Sequence, residues 1–279
     1  VFPKLMVEMV KVGEMIGKIE DVIYDMYIYY KKQLKTTNDI KGAMMYPIFM
    51  FVATIGVTIF LLTFVVPTFQ STFAEMGKEL PAITQFILNV ADFVKTKLIY
   101  VVLVLVLFIT VALMFNRTDK GRMFYSKLAL KLPLIKGIYR KGNLIRIAST
   151  YSTLLSNSVN AVEGLDITKE ILTNRVFIDI LDKASTNIQN GIPISKAFEK
   201  HWAVDPVFAS MVAIGEETAT LGVMLKNISE YYDAEMEVTV QRLKKFMEPI
   251  VLIILASIVG TILLAVMIPM FSMMETGVQ

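Results

Sequence analysis

The sequence predicts an all-α protein, with three transmembrane helices and antiparallel helical-bundle domains, on three observations. Three runs, residues 44–66, 98–115 and 249–268, carry no charged side chain across a bilayer's thickness. Between them no strand alternation or hairpin signal interrupts the apolar spacing of amphipathic helices. Finally, the chain repeats itself at a constant offset of 202 positions. MVKVGE at residues 9–14 returns as MVAIGE at residues 211–216, and the pairs Tyr29/Tyr231, Pro47/Pro249 and Pro67/Pro269 keep that register without a gap. Such self-similarity marks a duplicated structural unit.

Composition sets the class. Of the 279 residues 55% are hydrophobic and 19% charged, and the mean hydropathy of +0.58 exceeds what a water-soluble globule carries. Net charge is only +3, which argues against direct nucleic-acid binding. The absence of cysteine excludes disulfides, thiolate metal sites and cysteine nucleophiles. The sequence opens on Val1 inside a helix pattern already under way, so it reads as part of a longer protein whose first repeat is only partly present.

Taken in order, residues 1–43 read as the end of a first cytoplasmic helical domain and residues 44–67 as the first span. Pro47 and Pro67 bracket that span, as Pro249 and Pro269 bracket the third, each pair about 30 Å apart along a helix. Proline suits the first turn of a helix because its missing N–H is unpaired there anyway. Residues 68–97 form an external loop in which Ile83, Phe86, Ile87, Val90, Phe93 and Val94 share one helical face. Residues 98–116 make the second span, and residues 117–246 a second cytoplasmic six-helix domain. Within it Asn160 with Glu163 is expected to cap a helix, and Gly215 to permit a tight turn before a long helix capped by Thr218 or Thr220. That helix runs into the third span, residues 247–271, and residues 272–279 are an external tail.

Direction follows from the basic flanks. Lys31, Lys32, Lys35 and Lys41 precede the first span, a dense set from Arg117 to Arg146 follows the second, and Arg242, Lys244 and Lys245 precede the third. The N-terminus is therefore placed in the cytoplasm and the C-terminus outside.

The combination of YP…VVPTF, KLPLIKGIYRK followed by STYSTLLSNSV, and GEETATL…YY…EP…IPMF resembles the inner-membrane platform proteins of type IV pilus and type II secretion machines. The resemblance covers essentially the whole chain. It implies two copies of a six-helix cytoplasmic domain and three spans in the bacterial cytoplasmic membrane. It also implies a role coupling a cytoplasmic hexameric assembly ATPase to the extraction of pilin or pseudopilin subunits. Other inner-membrane assembly proteins, lipid and a second copy of the chain would be further partners. Residues 157–160, NSVN, depart from the family's usual SGVP turn, and Ala219 stands where glycine is common while Gly17 keeps it in the first repeat.

Chemistry has little to work with. No phosphate-binding loop is present, a single histidine, His201, cannot make a zinc site, and the spans hold no ionisable residue at depth. The sequence therefore predicts no catalytic residue, no cofactor and no metal. The alternatives are a small-molecule permease and a static membrane anchor for the ATPase.

What remains is surface. Gly13 and Glu14, with their equivalents Gly215 and Glu216 and the adjacent Glu217, are candidates for a partner contact or a turn-stabilising motif in which a carboxylate accepts backbone N–H groups. Arg140 and Lys141 belong to the basic hairpin Arg117 to Arg146, opposed to an acidic stretch of Glu216, Glu217, Glu230, Asp233, Glu235 and Glu237. The two read either as solvated faces or as docking surfaces for a cytoplasmic motor and neighbouring assembly proteins. Glu248, next to Pro249, reads either as a carboxylate favoured by a helix N-terminus or as a contact for a charged pilin N-terminus. Ala256 and Gly260, four apart, permit close helix approach, against the first span or a second copy.

Overall fold

A computed structural model describes residues 2–65, 67–68, 82–133 and 135–276, and among them every regular element is helical. The elements are α1 (Lys4–Ile16), α2 (Ile19–Phe60) ending in a π-helical turn (Leu61–Val65), α3 (Ala82–Asn116), α4 (Asp119–Lys131), α5 (Lys136–Ser156), α6 (Ala161–Glu170), α7 (Arg175–Gln189), a single turn α8 (Ser195–Phe198), α9 (Pro206–Glu217) and α10 (Leu221–Thr276). They separate into two compact units, residues 1–41 with 114–243, and residues 42–113 with 244–279.

The first unit is built on two apolar clusters. Leu144, Tyr151, Leu165, Phe177, Phe208 and Tyr232 centre the larger, which α5, α6, α7, α9 and α10 supply. Leu5, Met9, Val22 and Met26 of α1 and α2 form the smaller with Leu154, Val159 and Ile167. Local sequence starts these helices cleanly. Asn160, Asn174 and Asp205 each accept the N–H two residues on, at 2.9–3.0 Å, and Pro206 occupies the first helical position after Asp205.

The repeat is visible bond for bond. Gly17 N–H reaches Glu14 O at 3.3 Å and Lys18 N–H reaches Gly13 O at 2.8 Å; Ala219 and Thr220 make the same bonds to Glu216 and Gly215 at the same lengths. Gly215 itself does not form the turn. It lies inside α9, where an added Cβ would sit 2.8 Å from Met224 Cβ, so it is small because α10 folds back against it. Gly13 meets Val22 in the same way, at 3.2 Å. The turn falls instead on Ala219, with φ 55°, where Gly17 has φ 70°. Thr220 precedes α10, its carbonyl accepting Met224 N–H at 3.0 Å and its hydroxyl paired with that of Thr218 at 2.7 Å.

Ser158 is a second non-glycine residue in the left-handed region, with φ 63°, at the place of the expected glycine. The altered sequences thus retain the glycine-type backbone. Left-handed backbone disfavours any residue with a Cβ. Ser158→Gly and Ala219→Gly are each expected to stabilise the chain by about 0.5–1 kcal/mol, less the larger unfolded-state entropy of glycine. Thermal unfolding of both single variants and the double checks this.

The second unit holds the apolar runs. Two helices, α2 and α10, are long and apolar enough to cross a membrane, and α3 carries a shorter described apolar run, Val106–Asn116. Their large side chains point outward: Phe49 is 68% exposed, Phe108 72% and Ile253 66%. A surface of this kind suits hydrocarbon and not water. Thr54 and Thr58 bond back to the carbonyls of Met50 and Thr54 at 2.8 Å, which satisfies their hydroxyls within the helix.

The prolines do not start helices here. Pro47 lies inside α2, and Pro249 and Pro269 lie inside α10. Each removes one backbone donor from the ladder without ending the helix, because the flanking residues keep their own bonds. Pro67 stands just beyond the π-helical turn, in the two described residues 67–68. The amphipathic stripe predicted in the external loop belongs to α3, where Phe86, Val90 and Phe93 are exposed. The remainder of that loop, residues 69–81, and the last three residues of the tail lie outside the described residues.

Candidate functional site

No group of His, Cys, Asp and Glu able to hold a metal ion occurs among the described residues. The arrangement to be explained is a set of charges on the first unit, beginning with the predicted acidic stretch. Glu216 accepts three hydrogen bonds, from Ile194 N–H at 2.7 Å, Ser195 N–H at 3.1 Å and the Ser195 hydroxyl at 2.9 Å. It therefore caps the single-turn helix α8, whose own sequence offers no cap. Glu14 and Glu217 are exposed on the last turns of α1 and α9.

The other acids meet lysines. Lys141 donates to Glu235 Oε2 at 2.8 Å and to the Thr239 hydroxyl at 2.8 Å, and this bond and its charge hold the Glu235 carboxyl below its usual range. Arg140, the neighbouring candidate, donates from Nη2 to Trp202 O at 3.2 Å while its buried Nε finds no protein partner. The basic hairpin therefore meets the acidic stretch at Lys141 and Glu235, so at this point the two regions adjoin.

Across from them α2 contributes Lys32 and Lys35. Lys35 donates to Glu237 Oε1 at 2.6 Å, and the two residues are 202 apart, equivalent positions of the repeat. Lys32 pairs with Asp233, whose burial nonetheless holds its carboxyl above the usual range. The pairs Lys32–Asp233 and Lys35–Glu237 advance along both helices in the same direction, so the two run parallel and close to the register of the repeat. The repeats differ in charge at the seam: Lys31, Lys32 and Lys35 on one, Asp233, Glu235 and Glu237 on the other. A cavity of about 110 Å³ stays open between them, lined in part by Tyr29, Thr36, Arg146 and Met236.

The two repeats are not used alike. Leu5, Val12 and Tyr29 are buried against α5 and α6, and Tyr29 Oη lies 3.1 Å from the Thr150 hydroxyl. Their equivalents Val207, Ile214 and Tyr231 are 43%, 49% and 46% exposed, so at these three positions the second repeat is bare where the first is covered.

Two candidates stand differently from expectation. Glu248 is exposed in the interior of α10, far from that helix's start, so no helix N-terminus favours it. At Gly260 an added Cβ would meet nothing within 4 Å, and Ala256 is exposed, so this pair does not pack against the first span within the chain.

Sequence reasoning missed two features. The Lys35–Glu237 contact was signalled by opposite charges at equivalent repeat positions. The other is a cavity of about 700 Å³ whose wall includes Arg117 and Arg122 of the predicted basic stretch together with the distant Arg175.

A family model described as type II secretion system (T2SS), protein F, matches residues 1–67 and 147–269. Both matched segments end on a proline, Pro67 and Pro269, as far apart as Lys35 and Glu237. Among curated relatives, the type IV pilus assembly protein PilC of Thermus thermophilus is 34% identical over 277 residues, which is 99% of this chain and 68% of that protein. PilC of Pseudomonas aeruginosa is 31% identical over 98% of the chain and 73% of the relative. The type II secretion system protein F of Vibrio cholerae is 29% identical over 98% of the chain and 67% of the relative. The chain thus spans about two thirds to three quarters of the length of these relatives.

Proposed function

The chain belongs to the type II secretion system protein F family, and from that premise we propose that it is the cytoplasmic-membrane platform of a type IV pilus or type II secretion machine. In this reading α2, α3 and α10 cross the bilayer, the N-terminus and residues 117–246 lie in the cytoplasm, and the C-terminus lies outside. The basic flanks of all three runs support that direction. The platform binds a hexameric assembly ATPase below and pilin or pseudopilin subunits above, and performs no catalysis itself.

The observation that carries the proposal is the paired helix architecture. Two equivalent helices, α2 and α10, each run from the charged seam of the first unit into an apolar stretch without a break at the bounds of either unit. A displacement at the seam is thereby delivered to lipid-facing helix without a flexible joint. Force transmission requires continuity of this kind, and a solute pathway does not. The lack of any Asp, Glu, Lys, Arg or His in the interior of the apolar runs supports the same choice.

Loss of the gene in the native host is expected to abolish filament assembly or secretion while subunits accumulate in the membrane. Tagged protein is expected to retain the ATPase. Solute flux through reconstituted protein would replace the proposal with a permease. To separate a moving platform from a static anchor, cysteines placed at positions 35 and 237 are joined by a short bifunctional thiol reagent. The chain has no other cysteine, so the tie is specific. A moving platform stops when tied; a static anchor does not.

A further inference from the structure

We propose that the cavity walled by Arg117, Arg122 and Arg175 binds an anionic phospholipid from the cytoplasmic leaflet. The cavity holds about 700 Å³, within the range of sites that enclose a small ligand. Its lining is mixed: the arginines Arg117, Arg122 and Arg175 stand with the apolar Leu132, Ile135 and Leu172. No Asp or Glu lines it among the described residues. Arg175 is oriented by Asp179, Nε to Oδ1 at 3.1 Å on the next turn of α7, while neither Arg117 nor Arg122 pairs with an acid among the described residues.

Charge and shape together select the ligand class. Arginine presents a planar fork of donors that matches phosphate oxygens, so an anion with several such oxygens suits the polar side. A purely polar anion leaves the lining leucines and isoleucine unmatched, whereas the glycerol and upper acyl carbons of a lipid can cover them. Chain connectivity supplies the source. Arg117 follows the apolar run of α3 by a single residue, Asn116, and both line the cavity, so its wall includes the point where that helix leaves its apolar stretch. Basic pockets at that level are suited to lipid headgroups. The inference rests on the proposed topology, in which Arg117 is cytoplasmic.

The test uses the full chain in detergent micelles, titrated with phosphatidylglycerol or with phosphatidylcholine of the same acyl chains and followed by native mass spectrometry. The wild type is expected to prefer phosphatidylglycerol by about thirtyfold, as two to three arginine contacts imply. Arg117→Gln/Arg122→Gln/Arg175→Gln is expected to abolish that preference. Arg242→Gln/Lys244→Gln/Lys245→Gln removes the same charge elsewhere and is expected to keep it. Equal loss in both variants would mean general surface attraction and overturn the site. Displacement of the lipid by inorganic phosphate would assign the cavity to a soluble anion, and equal affinity of the wild type for both lipids, which needs no variant, would also overturn it. A single cysteine at position 120, labelled from each side of intact vesicles, tests the topology on its own, so a misplaced membrane is distinguished from an empty cavity.

Discussion

Replacing Gly121 with alanine is expected to lower the stability of the chain by about 3 kcal/mol or more, the largest effect of any single methyl group considered. The corner between α3 and α4 is closed by Thr118, whose hydroxyl donates to Phe115 O at 2.7 Å and accepts Gly121 N–H at 3.1 Å. That arrangement draws the Phe115 carbonyl over Gly121. A Cβ there would lie 1.8 Å from Phe115 O and 2.6 Å from Phe115 C, distances no rotamer change relieves because both atoms are backbone. The helix start must open, which breaks the Thr118 cap and moves Arg117 and Arg122 apart. Melting of the purified chain is expected to fall by on the order of 10 °C. Gly42→Ala provides the comparison. Its added Cβ meets nothing within 4 Å inside α2, so the same substitution gains helix propensity there and raises stability by up to about 1 kcal/mol. Melting of Gly121→Ala indistinguishable from wild type would show that the corner is not built this way.

These glycines show what the amino-acid order discloses and what it hides. Periodic signals are legible: the helices of the first unit, the cap at Asn160 and the duplication follow from spacing, which a linear sequence records directly. The partner of a residue far along the chain is not recorded that way. Gly215 was read as a turn because glycine is permissive, yet its smallness serves Met224 across a helix hairpin. The prolines were read as helix starts by a rule that holds in water, whereas long apolar helices continue through Pro47 and Pro249. Ala256 and Gly260 are small, but size alone does not say whether a neighbour approaches. The acidic stretch reads as a surface because charge usually is, and Glu237 is indeed exposed and Glu235 only half-buried. What spacing does not record is that lysines from α2 and α5 engage them and Asp233, and that Glu216 takes backbone N–H groups. The arginine cavity adds Arg175, about fifty residues on, to Arg117 and Arg122 of the legible basic stretch, and that meeting becomes visible only once the chain is folded.

Inserting three glycines after Lys245 is expected to abolish filament assembly or secretion while leaving the protein in the membrane. The site lies in the interior of α10, a helix of 56 residues and therefore about 84 Å long, between the charged seam and the apolar run that begins at Pro249. Each glycine disfavours helix by about 1 kcal/mol, and three in succession next to a proline that already lacks a donor create a joint. Membrane insertion depends on the apolar run alone and is expected to be unchanged on alkaline extraction. Insertion also shifts register, so a pair of substitutions isolates flexibility. Lys244, Lys245 and Phe246 are all exposed, and changing them together to glycine or together to alanine removes the same side chains without moving the phase of the helix. The alanine variant is expected to assemble as wild type and the glycine variant to fail, because only the second loses stiffness. Failure of both would assign the effect to the lysines themselves, as contacts for lipid headgroups. Full activity of the glycine variant would break the mechanical argument at its centre: a soft joint that passes on no displacement cannot lie on the route by which work reaches the membrane.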